Sequence, residues 1–234
     1  IMSASELLTD GLHNVQNALA AIAAAKIMGI ASENIARSLS SFKGIRHRIE
    51  PVGETDGVKY VDDSKGTNVD ATIKAVGCMK EETVLLLGGK DKGYDYDKLF
   101  VKLRSSSVVH AVLYGENRFR LFESALRCGF DRMTLCVGFE FAVRLARMIA
   151  ERGQTVLLSP ASASFDEFAS YEERGDRFVA IVRSFEEEGR AKEHEGTEKA
   201  DAPACVEGAA GDGAALLLAD TDADGGSGPE GEDE

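Results

Sequence analysis

The chain has 234 residues, enough for one large domain with attachments. Its net charge of −13 is local, because residues 187–234 hold 15 acidic and 3 basic residues, leaving 25 acidic against 24 basic residues before them. So balanced a body implies no basic face for nucleic acid, although a local cluster could still meet phosphate. Cys78, Cys128, Cys136 and Cys205 follow neither metal-ligand nor disulfide spacing, and no run approaches the roughly twenty apolar residues of a membrane helix.

The start lacks the basic segment and small-residue cleavage site of a signal peptide, so a cytoplasmic protein with reduced thiols is expected. Residues 1–43 read as helical. An Ala-rich run from Asn14 places Val15, Leu19, Ile22 and Ala23 in a rough stripe that Gly29 ends. Ser32 is the expected N-cap of a second helix carrying Ile35, Ala36 and Leu39. Two helices without a sheet make an incomplete domain.

From Gly44 the pattern alternates. Strands are predicted at 50–52, 58–61, 83–87, 108–114, 133–137 and 155–158, with helices at 69–79, 95–104, 116–127, 139–152 and 172–186. This order argues for an α/β fold over residues 44–186, a Rossmann-like, mostly parallel sheet with helices on both faces. Residues 187–234, rich in Glu, Gly, Ala and Asp, are expected to be a disordered acidic tail.

Four polar stretches carry the chemistry. The predicted strand from Val58 runs into Asp62-Asp63-Ser64-Lys65-Gly66-Thr67-Asn68, where Asn68 can cap the next helix and Asp70 complements its dipole. Ligands bind beyond the carboxyl ends of strands in open α/β sheets, and helix amino termini favour anions. A capped turn with solvated charges is the plainer alternative. The run from Val84 breaks into Gly88-Gly89-Lys90-Asp91-Lys92-Gly93, whose glycines allow close approach and whose lysines can meet an anion, a weak signal by itself. The run from Val156 breaks into Ser159-Pro160-Ala161-Ser162-Ala163-Ser164-Phe165-Asp166-Glu167-Phe168, either a polar binding floor or a turn with both aromatics in the core. Gly44-Ile45-Arg46-His47-Arg48-Ile49-Glu50 sits at the apparent domain junction and reads otherwise as a charged linker.

In this order and spacing the stretches resemble the Mur ligases of peptidoglycan synthesis, and among them the D-glutamate-adding member. The resemblance rests on Gly11-Leu12-His13-Asn14 with Asn17 and Ala20-Ala21, and on residues 42–50, 62–68, 88–93 and 159–175. It spans residues 11 to about 183, and the segment through Tyr171-Glu172-Glu173-Arg174-Gly175 separates this member from its sisters. It implies that residues 1–43 end a central ATP-binding domain and that residues 44–186 form the carboxy-terminal domain.

The implied reaction is ATP-dependent. A carboxylate of UDP-N-acetylmuramoyl-L-alanine becomes an acyl phosphate, and the amine of D-glutamate attacks it, which calls for cations around phosphate and a clamp on the amino acid. By motif, Asn14 and Asn17 resemble adenine-side contacts, and Arg48 and Asp63 resemble ATP contacts. Lys65, Thr67, Lys92, Ser164 and Phe165 resemble the D-glutamate pocket, with Tyr171 near it. Lys65, Asp63 and Arg48 are the expected catalytic residues. Lys65 and Lys92 can pair with carboxylates, Thr67 and Ser164 can donate hydrogen bonds, and Arg48 can bridge phosphate oxygens.

Departures from the family pattern are specific. The sequence holds no Gly-x-x-Gly-Lys-[Ser/Thr] phosphate loop and no counterpart of the lysine the family carbamylates to hold a second Mg2+. Upstream Mur ligase domains, carrying the main phosphate and Mg2+ ligands, are therefore expected partners, and the isolated chain is expected to be inactive. It reads as a fragment, a split gene product or a relic. Tyr171 stands where phenylalanine is frequent, and Gly66 where alanine is common. A non-catalytic D-glutamate or nucleotide binding module is the alternative, while a dehydrogenase-like reading lacks its Gly-x-Gly-x-x-Gly turn.

Overall fold

A computed structural model describes residues 1–9 and 11–200. After a short 3-10 turn at Ala4–Glu6, the first part consists of α1 (Leu12–Ile27) and α2 (Ser32–Ser41), with Gly29 between them in the left-handed region at φ 76°. Ser32 does not cap α2. Ala31 holds the cap position, and the Ser32 hydroxyl instead accepts a hydrogen bond from Lys26 Nζ at 3.1 Å.

The remainder is built on six strands, β1 (Glu50–Thr55), β2 (Val58–Asp62), β3 (Thr83–Gly88), β4 (Val108–Tyr114), β5 (Met133–Leu135) and β6 (Thr155–Leu158). Their spatial order is β1-β2-β6-β3-β4-β5; β1 runs antiparallel to β2 and every other pairing is parallel. The central places go to β3 and β6, buried along their whole length, as their unbroken apolar runs require of strands covered on both faces. The outer strand β1 carries Glu50, Pro51 and Glu54, and its register with β2 is broken between Pro51 and Gly53.

The helices are α3 (Val69–Cys78), α4 (Asp97–Leu103), α5 (Arg118–Arg127), α6 (Phe139–Ile149) and α7 (Tyr171–Ala200). On one face, residues of α3, α4 and α5 such as Val76, Phe100 and Leu121 pack with Leu85, Leu113 and Leu157. On the other, Val143 of α6 and Phe178, Val182 and Phe185 of α7 pack with Tyr60, Leu86 and Leu158. The change of face follows from handedness. The chain steps outward from β2 to β5 and then returns to place β6 between β2 and β3, and right-handed crossovers in opposite directions put their helices on opposite faces.

The expected α/β sheet is present. The helix predicted to end at 186 continues to Ala200, so the first part of the expected disordered tail is helical. The stretch from Glu187 to Ala200 is dominated by Glu, Ala, Lys and Arg, all strong helix formers, and no proline interrupts it; sparse apolar content does not prevent a helix from propagating off a packed turn. Residues 201–234 of that tail lie outside the described residues. No helix among the described residues is long and apolar enough to cross a membrane.

Leu86 is fully buried at the centre of β3 against α6 and α7. Leu86→Ala is expected to cost about 2–5 kcal/mol, read as a lower urea midpoint with an unchanged denaturant slope.

Candidate functional site

Three of the four polar stretches meet because β2, β6 and β3 are parallel neighbours, so their carboxyl ends open on one edge of the sheet. The chain leaves β2 and β3 toward one face and β6 toward the other, which is the switch-point geometry where open α/β sheets bind ligands. The loops are joined by backbone. Asp63 N donates to Leu158 O (2.7 Å), Gly88 N to Pro160 O (3.0 Å) and Lys90 N to Ala163 O (2.8 Å). Gly89 has φ 142°, and a Cβ there would collide with Ala163 O, so the close approach requires glycine.

Arg174, fully buried on the first turns of α7, holds the arrangement from below. Its guanidinium donates to Ser64 Oγ (2.9 Å), Ser64 O (2.8 Å) and Ser162 O (3.1 Å), bridging the loops after β2 and β6. Ser64 Oγ donates to Tyr171 O at 2.8 Å. A second buried hub is Asn117, whose side chain accepts from Gly89 N (3.0 Å) and donates to Tyr96 OH and Ser162 Oγ (both 2.7 Å). Sequence reasoning missed both roles. Arg174 lies within the quoted Tyr171-to-Gly175 motif, but nothing in the spacing says that it is buried, and Asn117 stands in a short polar turn after β4.

Asn68 caps α3 as expected, its Oδ1 accepting from Ala71 N at 2.9 Å. Asp70 in the first turn pairs with Lys98 at 2.7 Å on the surface. The Gly44-to-Glu50 stretch is not a solvated linker. His47 is buried at 2 % exposure with Nδ1 2.7 Å from Asp62 Oδ2, its N–H donates to Glu50 Oε2 (2.7 Å), and its carbonyl accepts from Lys65 N (2.9 Å). Gly175 makes this packing possible, since a Cβ there would collide with the imidazole.

Asp62 and Asp63 are both buried. Burial pushes the Asp62 carboxyl up, opposed by the hydrogen bonds from His47 and Ser64 N. Burial pushes Asp63 further, to about 7, against the pull of the Ser159 hydroxyl, the backbone of Ile49 and the charge of Arg48. Ser159 Oγ donates to Asp63 Oδ2 at 2.7 Å, and Thr72 Oγ1 of α3 donates to Ser159 O at 3.1 Å.

Among the expected nucleotide contacts, Asn14, Asn17 and Arg48 line one cavity of about 380 Å³ between α1, α2 and the Gly44-to-Arg48 segment. Two side-chain amides and an exposed guanidinium suit a purine edge and phosphate oxygens. Asp63 does not line this cavity and meets it only through the field of Arg48. Among the expected amino-acid contacts, Lys65 Nζ donates to Tyr171 OH (2.8 Å) and sits 4.7 Å from the centre of that ring. Thr67 is half-buried and Ser164 is buried. Lys92 is exposed and makes no ion pair among the described residues, whereas its neighbour Lys90 is held by Glu116 at 2.6 Å. Phe165 is 65 % exposed, while Phe168 packs edge-on against Phe139, so only one aromatic of that loop enters the core.

Among the described residues one group of His and acidic side chains converges, His47 with Glu50 and Asp62. Its imidazole and carboxylate are already bonded to each other, and Mg2+ favours oxygen ligands with retained waters, so this cluster does not fit Mg2+.

Residues 47–162 match the family model described as Mur ligase, glutamate ligase domain. The chain is 49 % identical over 184 residues to the UDP-N-acetylmuramoylalanine--D-glutamate ligase of Pelotomaculum thermopropionicum and 44 % identical over 184 residues to that of Alkaliphilus metalliredigens, each match covering 79 % of this chain and 40 % of the relative. The chain thus spans about two fifths of the length of these curated relatives. Among solved structures, the UDP-N-acetylmuramate-alanine ligase of Thermotoga maritima shares the fold with a TM-score of 0.59 at 18 % identity, over 76 % of this chain and 39 % of that one.

Arg174→Ala leaves the Ser64 and Ser162 carbonyls unpaired in the interior and is expected to cost about 2–5 kcal/mol, measured by urea unfolding. Asp63 keeps its proton up to about pH 7 in the fold against an ordinary value of 3.8. The folded state therefore binds more protons between those values, and wild-type stability relative to Asp63→Asn should fall as pH rises from 3.8 through about 7 and then level off. A parallel pH series of urea midpoints for the two proteins would show a flat difference if the carboxyl were ionised throughout.

Proposed function

Residues 47–162 make the chain a member of the Mur ligase family through its glutamate ligase domain, and on that premise we propose that it supplies the D-glutamate pocket and part of the ATP site of a cytoplasmic, ATP-dependent ligase. The proposed reaction joins D-glutamate to UDP-N-acetylmuramoyl-L-alanine. The observation that carries the reading is a juxtaposition. Arg48 lines a cavity with Asn14 and Asn17, and its charge reaches Asp63, two residues before Lys65 on the loop after β2.

ATP, when bound, supplies the phosphoryl group that turns the acceptor carboxylate into an acyl phosphate. The residues of this chain bind and orient. Lys65 and Lys92 pair with the two carboxylates of D-glutamate, Thr67 and Ser164 donate hydrogen bonds, and Tyr171 fixes Lys65 so that its ammonium faces the substrate at little further entropic cost. Phe165, exposed at the rim, gives the pocket an apolar wall. Arg48 meets phosphate oxygens while Asn14 and Asn17 read the adenine side. Upstream Mur ligase domains are the proposed partner that brings the phosphate loop and the Mg2+ ligands. The lack of a phosphate-loop sequence in this chain favours a second reading, a module that binds D-glutamate or nucleotide without turnover.

Supplying the upstream domains of the Pelotomaculum thermopropionicum relative, fused or in trans, tests the first reading by D-glutamate-dependent phosphate release. Lys65→Ala and Lys92→Ala should each lower that rate by about 100-fold or more, and a rate insensitive to both would overturn the site. Calorimetric binding of D-glutamate without product in the restored assembly would select the second reading.

A further inference from the structure

The end of the sheet opposite these loops holds a second cavity, of about 420 Å³, between the turn joining β1 to β2, the end of α6 and the buried face of α7. Its size falls in the range of small-molecule sites. Arg144, Arg147 and Arg152 line it together with one acid, Asp56, above a floor formed by Thr55, Tyr60 and Phe185. The guanidinium groups of Arg147 and Arg144 lie 4.4 and 5.7 Å from the centre of the Phe185 ring, within cation–π range.

The acidic partners of these arginines are at the surface. Arg147 meets Asp56 at 3.2 Å and Glu188 at 2.8 Å, and Arg144 meets Glu140 at 3.3 Å and Glu188 at 3.5 Å; Asp56 is 68 % exposed while Arg147 is 19 % exposed. The Arg144 pairs, exposed on both sides, hold weakly and exchange readily. Arg152 makes no ion pair among the described residues. The floor carries a second, independent sign. Tyr60 OH and Thr55 Oγ1 are buried with no hydrogen-bond partner among the described residues, although buried hydroxyls in folded proteins are nearly always bonded. Burial pushes the Tyr60 phenol up to about 12, so it remains a donor at every physiological pH.

We infer that this cavity binds a small polyanion, a molecule bearing several phosphate or carboxylate oxygens, which the three arginines would hold while Tyr60 and Thr55 donate from below. Forked guanidinium groups suit either kind of oxygen pair, and the volume leaves room for more than an inorganic ion. The site is separate from the loops at the carboxyl ends of the strands and does not depend on the ligase reading.

Calorimetry of the full chain at low ionic strength, with inorganic pyrophosphate in one arm and citrate in the other, tests it. Binding of either should weaken about tenfold in Arg152→Gln and in Arg147→Gln, and about threefold in Tyr60→Phe, with the surface variant Lys98→Gln unchanged. Arg152 is exposed and makes no ion pair among the described residues, so Arg152→Gln keeps the fold, as circular dichroism would verify. Pyrophosphate alone points to a phosphorylated ligand, and citrate alone to a polycarboxylate. Absence of binding in both arms, or binding undiminished in Arg152→Gln and Arg147→Gln, overturns the inference.

Discussion

A guanidinium taken wholly out of water is tolerated only when its donors are used, and at Arg174 three carbonyl and hydroxyl oxygens use them. Those oxygens belong to the loops after β2 and β6, and the arginine belongs to α7, so three segments distant in sequence are set against one another by a single side chain. The backbone bonds between Asp63 and Leu158 and between Lys90 and Ala163 then fall at fixed spacing. Lys65, Thr67 and Ser164 inherit their positions from this frame rather than from packing of their own.

The adjacent acids Asp62 and Asp63 show how one strand end produces two environments. Asp62 turns toward His47 and the backbone of Ser64, whereas Asp63 turns toward Ser159 and the field of Arg48. The first locks the Gly44-to-Glu50 segment onto the sheet; the second buries a proton-holding carboxyl in the field of Arg48, which lines the cavity with Asn14 and Asn17. The two side chains part where the strand ends, Asp62 being the last residue of β2 and Asp63 the first beyond it.

Much of this was legible in the sequence for physical reasons. The unbroken apolar runs of β3 and β6 announce central strands, and Asn68 announces a cap because its short amide suits no other place at that junction. The motif loops were visible because polar residues interrupt apolar runs at strand ends. What stayed hidden depends on contacts across the chain. His47 reads as part of a charged linker until Asp62 and Gly175 enclose it, Arg174 shows no sign of burial in its spacing, and Lys90 reads as able to meet an anion until Glu116 pairs with it. Phe165 and Phe168, three residues apart, differ only in which way the loop turns. Helix α7 outruns its apolar stripe because propagation needs good helix formers and a packed start rather than further burial.

The outermost strands bear on how this chain behaves in company. An unpaired strand offers a row of amides and carbonyls on which another molecule can add, and long flat edges nucleate aggregates. Here β5 is only three residues long, and β1 combines Pro51, two glutamates and a break in register beside Gly53. Proline removes a donor, charge resists stacking, and the irregularity twists the row of backbone groups out of line. The sheet is therefore blunted on both sides, so its association with other chains is left to side-chain surfaces and cavities rather than to backbone templating.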